Sequence, residues 1–133
     1  METERLRLRG WVSNDLTHFL KICSRQDVMK YIDHPWEAER VTEFILEEQR
    51  QLQLRGHCRW ALELKDTSVL VGFCGFRPRA DKPEQLEIGW RLHPDYWRQG
   101  LAFEAASYII KQADNELEPE RIFATIHVNN VAS

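Results

Sequence analysis

Residues 86–106, LEIGWRLHPDYWRQGLAFEAA, constrain the fold most, because one hydrophobic period ends and another begins within them. Apolar and polar residues first alternate, which indicates a strand that ends near Leu92. From Leu101 onward the apolar residues recur at helical spacing. A basic loop that contains Gly100 therefore joins a strand to a helix, and this junction is the first candidate for a functional site.

The rest of the chain divides into segments with equally clear periods. The predicted elements are a strand at 5–11, helices at 15–24 and 37–55, strands at 59–65, 69–76 and 85–92, a helix at 101–113 and a strand at 121–128. Gly56 provides a stop for the second helix, and Ser13 or Asn14 can cap the first. The order β-α-α-β-β-β-α-β predicts an α/β or α+β domain with a mixed sheet.

Length and charge limit the class of protein. A chain of 133 residues is one domain. Its net charge of −3 gives no bulk attraction to nucleic acid. No apolar run reaches membrane-spanning length, and METERLRLRG lacks the apolar core of a signal peptide. We therefore expect a cytoplasmic protein with neither a nucleic-acid nor a membrane partner.

Three cysteines, Cys23, Cys58 and Cys74, show no CxxC pairing. An odd number of cysteines in a chain of this size indicates reduced and mostly buried thiols. No metal-binding motif is present among them, and we expect no metal.

The junction itself has the features of an anion site. The first-turn amides of a helix lack partners within the helix and carry a partial positive charge. Gly100 leaves the backbone accessible, and Arg98 adds a cation. These features suit a phosphate or a pyrophosphate, although a glycine here can also serve only to make the turn. The segment is neither a GxxxxGK[ST] loop nor a GxGxxG loop, so the local pattern does not name the ligand.

In their wider order, these residues resemble the acyl-CoA-binding motif of the GNAT family of N-acetyltransferases, Arg/Gln-x-x-Gly-x-Gly/Ala. The motif reads WRQGLA at 97–102, with Trp97 in place of the first Arg or Gln. The branch that acetylates ribosomal-protein N-termini is the most similar. The stretches that carry this resemblance are TERLR at 3–7, VGFCGF at 71–76, residues 87–106, and HVNNVAS at 127–133.

The resemblance implies a single acyl-CoA N-acyltransferase-like domain over residues 1–133, with a GNAT-like, mainly antiparallel sheet flanked by helices. It implies acetyl transfer from acetyl-CoA to a primary amine, of a protein N-terminus or a small molecule, by direct attack in a ternary complex. Three backbone segments would bind the coenzyme: Trp90, Arg91 and Leu92 for the pantetheine arm, Arg98, Gln99, Gly100, Leu101, Ala102 and Phe103 for the pyrophosphate, and Asn130 near the reactive end. The Leu92 N–H would stabilise the oxyanion.

Glu87 is the first candidate for the general base, with a solvated strand residue as the alternative, and His127 is the second candidate. Glu104 is expected to support the helix dipole. The family's general acid, often a Tyr, is expected beyond Ser133, which is itself a weak substitute. We therefore expect a C-terminally incomplete chain that lacks the final helix and strands. Its fifth strand would expose an edge through which two copies could pair as a homodimer.

Two alternatives stay open beside the enzyme. One is a non-catalytic CoA-binding module or inactive truncated fragment, and the other is a protein-interaction fragment that binds no nucleotide. The sequence does not identify the acceptor amine, although residues 36–55 are expected to shape one wall of its cleft.

Overall fold

The computed structural model describes the backbone of residues 1–116 and 122–124 and the side chains of residues 1–113. Its elements in chain order are β1 (Leu6–Arg9), α1 (Asp15–Cys23), α2 (Gln26–Met29), α3 (Ala38–Arg55), β2 (Arg59–Leu64), β3 (Leu70–Pro78), β4 (Leu86–Leu92), a 3-10 turn (Pro94–Tyr96), α4 (Leu101–Glu116) and β5 (Ile122–Ala124). The predicted order is confirmed. Among the described residues, the elements that sequence periodicity missed are α2 and the 3-10 turn, which are too short to show a period.

The five strands form one sheet in the order β1-β2-β3-β4-β5. The first four are antiparallel neighbours, whereas β5 runs parallel to β4. A parallel neighbour needs a crossover, and α4 provides it. The mixed, mainly antiparallel sheet predicted from the sequence is thus confirmed. The remainder of the predicted strand at 121–128 lies outside the described residues.

Helix α4 covers one face of this sheet. Leu101, Ala105 and Ile109 on α4 are buried against a core that includes Leu6 from β1 and Leu92 from β4. These residues are the helical stripe predicted from the sequence. Their burial fixes the first turn of α4 against the end of β4, which is where the junction lies.

Helices α1 and α3 cover the opposite face with an aromatic core. The ring centroids of Phe19 and Phe44 are 5.1 Å apart, and those of Phe44 and Phe73 are 5.2 Å apart. Trp11 adds a third contact, 4.8 Å from Phe19. Such tilted ring contacts stabilise beyond simple area burial, so this core holds α1 and α3 firmly on β3.

Strand β4 contributes to both faces because successive side chains of a strand alternate. Leu86, Ile88 and Leu92 belong to the core beneath α4. The alternation therefore directs Glu87 and Arg91 to the face that α1 and α3 cover. This placement puts a predicted catalytic carboxylate and a buried cation on one side of the sheet.

The ends of the helices agree with the sequence in one case and differ in another. Gly56 ends α3 in the left-handed conformation, with φ of 75°, as predicted. The expected capping of α1 by Ser13 or Asn14 is wrong, because Asn14 already has helical dihedrals and makes no side-chain cap. Instead, the Asp15 carboxylate accepts from the Val12 N–H at 2.9 Å and pairs with Arg9.

A buried ion pair joins α3 to β2. The Glu48 side chain is 1% exposed, and its Oε2 lies 2.7 Å from Nη2 of Arg59. Its other oxygen accepts from the Arg59 backbone N–H at 2.7 Å. Both carboxylate oxygens of Glu48 thus accept a hydrogen bond from Arg59, so the buried carboxylate is compensated away from water.

Replacing Glu48 with Ala should lower the free energy of unfolding by roughly 3–5 kcal/mol, because it leaves the Arg59 cation buried without its carboxylate. Urea denaturation followed by circular dichroism measures this loss. Glu43→Ala is the matched control on the same helix, since Glu43 is 61% exposed and lies 3.8 Å from Arg40. Equal losses in the two variants would show that the buried pair does not stabilise the fold.

Candidate functional site

The loop between β4 and α4 is fastened to its surroundings by side-chain hydrogen bonds. The indole N–H of Trp97 donates to the carbonyl of Leu92 at 2.8 Å. The amide of Asp95 donates to Nδ1 of His93 at 3.1 Å, and the side-chain amide of Gln99 donates to the carbonyl of Asp95 at 2.9 Å. The loop thus has a fixed shape before any ligand binds.

The backbone of the loop bends in an unusual way just before α4. Arg98 has φ of 62° and Gly100 has φ of 78°, both left-handed. A non-glycine residue in this region carries strain of roughly 1–3 kcal/mol. The stretch Arg98, Gln99 and Gly100 is exposed, whereas Leu101 and Ala102 are buried. These three residues therefore lie at the surface beside the first turn of α4, an arrangement that suits an anion.

The direction of the backbone groups on β4 decides which of them can meet a ligand. The amide of His93 donates to Val71 on β3 at 2.9 Å, and the carbonyl of Arg91 lies where a Cβ on Gly72 would be. Both groups therefore face β3. Because backbone groups alternate along a strand, those of Trp90 and Leu92 point to the opposite edge.

That opposite edge of β4 is only partly covered in the described structure. The described residues of β5 pair with Leu86, Glu87 and Ile88 and with none of 89–92. The predicted pantetheine contact through the backbone of Arg91 needs correction, because its carbonyl is directed at β3. Trp90 and Leu92 are the residues whose backbone groups point to the part of the edge that the described residues of β5 do not pair, and the Leu92 carbonyl there accepts from the Trp97 indole.

The side chain of Arg91 is buried among α1, α3 and β3, and sequence reasoning did not anticipate it. Its guanidinium lies 4.5 Å from the ring of Trp36 and 5.2 Å from that of Phe73. Nη1 donates to the sulfur of Cys23 at 3.3 Å. Burial lowers the pKa of Arg91 and raises that of the Cys23 thiol. No local sequence signal distinguishes Arg91 from the other arginines of the chain.

Glu87, the predicted base, forms a cross-strand ion pair with Arg77. Its Oε1 accepts from Nε of Arg77, directly opposite on β3, at 2.6 Å. Its side chain is 18% exposed, so it keeps access to solvent. The other predicted catalytic and coenzyme residues His127, Asn130 and Ser133 lie outside the described residues.

Glu104, which was expected to support the dipole of α4, accepts hydrogen bonds from the N-terminal segment. Its carboxylate accepts from the hydroxyl of Thr3, and from the backbone N–H and Nε of Arg5 at 2.9 and 2.8 Å. Partial burial opposes ionisation, but these hydrogen bonds together lower the pKa of Glu104. Both partners belong to the TERLR stretch at 3–7, although the sequence did not show that they contact the helix.

An acidic cavity of about 420 Å³ opens between α2 and the start of α3. It is lined by Asp33, His34, Pro35, Trp36, Glu37, Glu39, Arg40 and Glu43. Trp36 links this cavity to β4, because the guanidinium of Arg40 lies 4.4 Å from the indole and that of Arg91 lies 4.5 Å from it. Of the segment 36–55, which was expected to form a wall of the acceptor cleft, residues between 36 and 43 line this cavity and residues 44–55 do not.

Two kinds of feature are absent from the part of the chain that the structure describes. Within residues 1–116 and 122–124, no helix combines the length and the apolar character needed to cross a bilayer. Over the same residues, no group of three His, Cys, Asp or Glu side chains is placed to hold a metal ion.

Comparison with known proteins gives a consistent result. The family described as "Acetyltransferase (GNAT) domain" matches residues 5–133. The chain is 30% identical over 135 residues to the uncharacterized N-acetyltransferase YoaA of Bacillus subtilis (strain 168), covering 100% of this chain and 76% of YoaA.

Solved structures have the same fold. A GNAT-family acetyltransferase from Bacillus anthracis superposes with a TM-score of 0.78 at 28% identity, covering 100% of this chain and 76% of that one. The microcin C7 self-immunity acetyltransferase MccE, solved with acetyl-CoA and AMP, has a TM-score of 0.69 at 13% identity, covering 85% and 64%; at that identity it shows the fold alone. The chain belongs to the GNAT acetyltransferase family.

Proposed function

We propose that the chain is an N-acetyltransferase that transfers the acetyl group of acetyl-CoA to a primary amine by direct attack in a ternary complex. One observation carries the proposal. A loop with left-handed residues lies at the surface beside the first turn of α4. Next to it is an edge of β4 toward which the backbone groups of Trp90 and Leu92 point. A diphosphate and an extended arm need this combination, since one requires convergent N–H donors and the other an unpaired strand edge.

The residues present fit the coenzyme. The amides of Arg98, Gln99, Gly100, Leu101, Ala102 and Phe103 would hold the diphosphate. Trp90 and Leu92 would hold the pantetheine arm, and Asn130 stays a predicted contact near its reactive end. A side chain at Gly100 would fill the cradle and be strained, which agrees with a ligand that approaches the backbone closely. The coenzyme supplies the thioester, and the protein supplies position and charge.

The chemistry requires a neutral amine. An α-amino group has a pKa near ~8 and a lysine near ~10.4, so a proton must leave before attack. Glu87 is the proposed acceptor of that proton. Glu87 and Leu92 are five residues apart, roughly 16 Å along a strand. One water does not bridge that distance, so in this proposal the proton reaches the carboxylate through a chain of several waters. The outward N–H of Leu92 is the proposed donor to the oxyanion.

The acidic cavity beside Trp36 is the proposed entrance for the acceptor. Its carboxylates attract an ammonium group, and the buried guanidinium of Arg91 beyond Trp36 disfavours a second cation. An amine that moves from the rim toward β4 therefore loses its proton more readily. Both a peptide N-terminus and a small-molecule amine suit this change from negative charge at the rim to positive charge further in.

The ribosomal-protein branch, a cytoplasmic location and a homodimer through β5 stay predictions.

The test is incubation of the chain with acetyl-CoA and a panel of amines, with release of the CoA thiol as the readout. A peptide with a free N-terminus, a lysine amide and a diamine cover the acceptor classes, and acetyl-CoA without amine is the control. We expect thiol release that depends on at least one amine. If no amine raises release above the control and excess acetyl-CoA leaves the melting temperature unchanged, the proposal is wrong.

A non-catalytic CoA-binding module is the second candidate, favoured by the ion pair that engages Glu87 with Arg77. It predicts that calorimetry detects CoA binding while no amine in the panel is acetylated.

Gly100→Ala should weaken CoA binding at least tenfold, because the added methyl group occupies the cradle and disfavours the left-handed loop. Gly56→Ala is the matched control: Gly56 has nearly the same φ of 75°, with open space around it, at the far end of α3. Both variants should lose about 1 kcal/mol of stability through backbone strain, but only Gly100→Ala should lose affinity in calorimetry. Equal CoA affinities would place the diphosphate elsewhere.

Glu87→Gln should lower kcat by about tenfold to a hundredfold with little change in KM for acetyl-CoA, because a water-mediated base is lost while the coenzyme site is intact. Asp81→Asn is the control, since Asp81 is an exposed carboxylate paired with Arg79 in the neighbouring loop. Steady-state kinetics on the best amine of the panel measures both. A kcat for Glu87→Gln equal to that of the control would assign the base to another residue.

A further inference from the structure

A guanidinium from the start of the chain lies at the mouth of the phosphate loop. Nη1 of Arg5 donates to the carbonyl of Gln99 at 2.9 Å. Its Nε donates to Glu104 on the first turn of α4 at 2.8 Å. Arg5 therefore spans the junction from the loop to the helix, although it is 94 residues from Gln99 in sequence.

These two bonds fix the plane of the guanidinium, and among the described residues no hydrogen bond of Arg5 uses Nη2. This nitrogen lies 3.6 Å from the position that a Cβ on Gly100 would occupy. Because Gly100 has no side chain, the position that a Cβ would occupy is left to a ligand. A phosphate oxygen placed there would lie within reach of a charged donor of fixed direction.

We propose that Arg5 binds the diphosphate of the coenzyme through Nη2 while it holds the phosphate loop in shape through Gln99. This inference rests on the proposed function, because the ligand of the loop is acetyl-CoA. The family's motif has Arg or Gln at the first loop position, where this chain has Trp97, and the Trp97 indole is occupied with Leu92. Arg5 brings a cation to the same loop from outside the motif.

Glu104 is the part of the arrangement that needs an explanation, since a carboxylate near a diphosphate repels it. Three donors engage this carboxylate: the hydroxyl of Thr3, and the backbone N–H and Nε of Arg5. Its charge is thereby compensated on the side of the N-terminal segment. Glu104 is a positioning residue that orients the guanidinium of Arg5, and the anion meets the opposite side of that guanidinium.

The decisive comparison is Arg5→Gln against Arg7→Gln. Arg7 is the matched control because it is only two residues away, is 42% exposed against 43% for Arg5, and is also held by ion pairs, to Glu2 and Glu63. Calorimetry with CoA gives the dissociation constant of each variant, and steady-state kinetics with acetyl-CoA gives kcat and KM. Melting temperatures without ligand measure any structural loss.

We expect Arg5→Gln to weaken CoA binding and raise KM for acetyl-CoA by about tenfold or more, the loss of one charged hydrogen bond. Its kcat should stay close to that of the wild type. Arg7→Gln should bind CoA like the wild type. A purely structural role would lower the melting temperature of Arg5→Gln and leave its CoA affinity equal to that of Arg7→Gln, which would overturn the proposal.

Arg5→Lys keeps the charge and secures the test if Arg5→Gln fails to fold. A lysine has no fork, so it cannot hold Glu104 and Gln99 and still face the ligand, and we expect an intermediate loss of affinity. Wild-type affinity in Arg5→Lys would overturn the proposal.

If wild-type protein binds CoA and only the variants disagree with these expectations, Arg5 is wrongly assigned and the proposed function stands. If wild-type protein does not bind CoA, the proposed function itself fails.

Discussion

The close approach of β3 to β4 at Gly72 sets the direction of the backbone groups on which the site depends. Gly72 has φ of 151°, and the carbonyl of Arg91 lies where any side chain at this position would have to be. Only glycine permits that contact. With the Arg91 carbonyl directed at β3, alternation turns the groups of Trp90 and Leu92 toward the other edge. The direction of the backbone groups of Trp90 and Leu92 thus depends on one missing side chain on the neighbouring strand.

The anion side of the site depends on tertiary contacts in the same way. The left-handed residues Arg98 and Gly100 make a loop that is costly in isolation. Trp97 fastens it to the end of β4, and Arg5 fastens it to the N-terminal segment. Burial of Leu101 beneath the sheet holds the first turn of α4 in place. Hydrogen-bond donors that folding has already oriented bind an anion well, because the ligand does not have to order them.

The sequence predicted what depends on local pattern and missed what depends on distance. The helical stripe that begins at Leu101 and the stop at Gly56 follow from periods and dihedral preferences within a few residues. The contact between Arg5 and Glu104 joins residues 99 positions apart, and nothing in either segment indicates it. The cap at Asn14 failed for a related reason, since the buried Asp15 pairs with Arg9 across the turn and replaces the expected local bond.

The buried guanidinium of Arg91 shows that composition could not predict where a charge lies in the fold. A cation in an apolar layer loses much of its hydration, and its nearest described polar partner is the thiol of Cys23 at 3.3 Å. The rings of Trp36 and Phe73 compensate part of that loss. What remains is a positive potential behind Trp36, with the carboxylates of the cavity in front of it. In the proposed reaction, a protonated amine is attracted to the rim and destabilised further in, so the field of the protein contributes to deprotonation alongside Glu87.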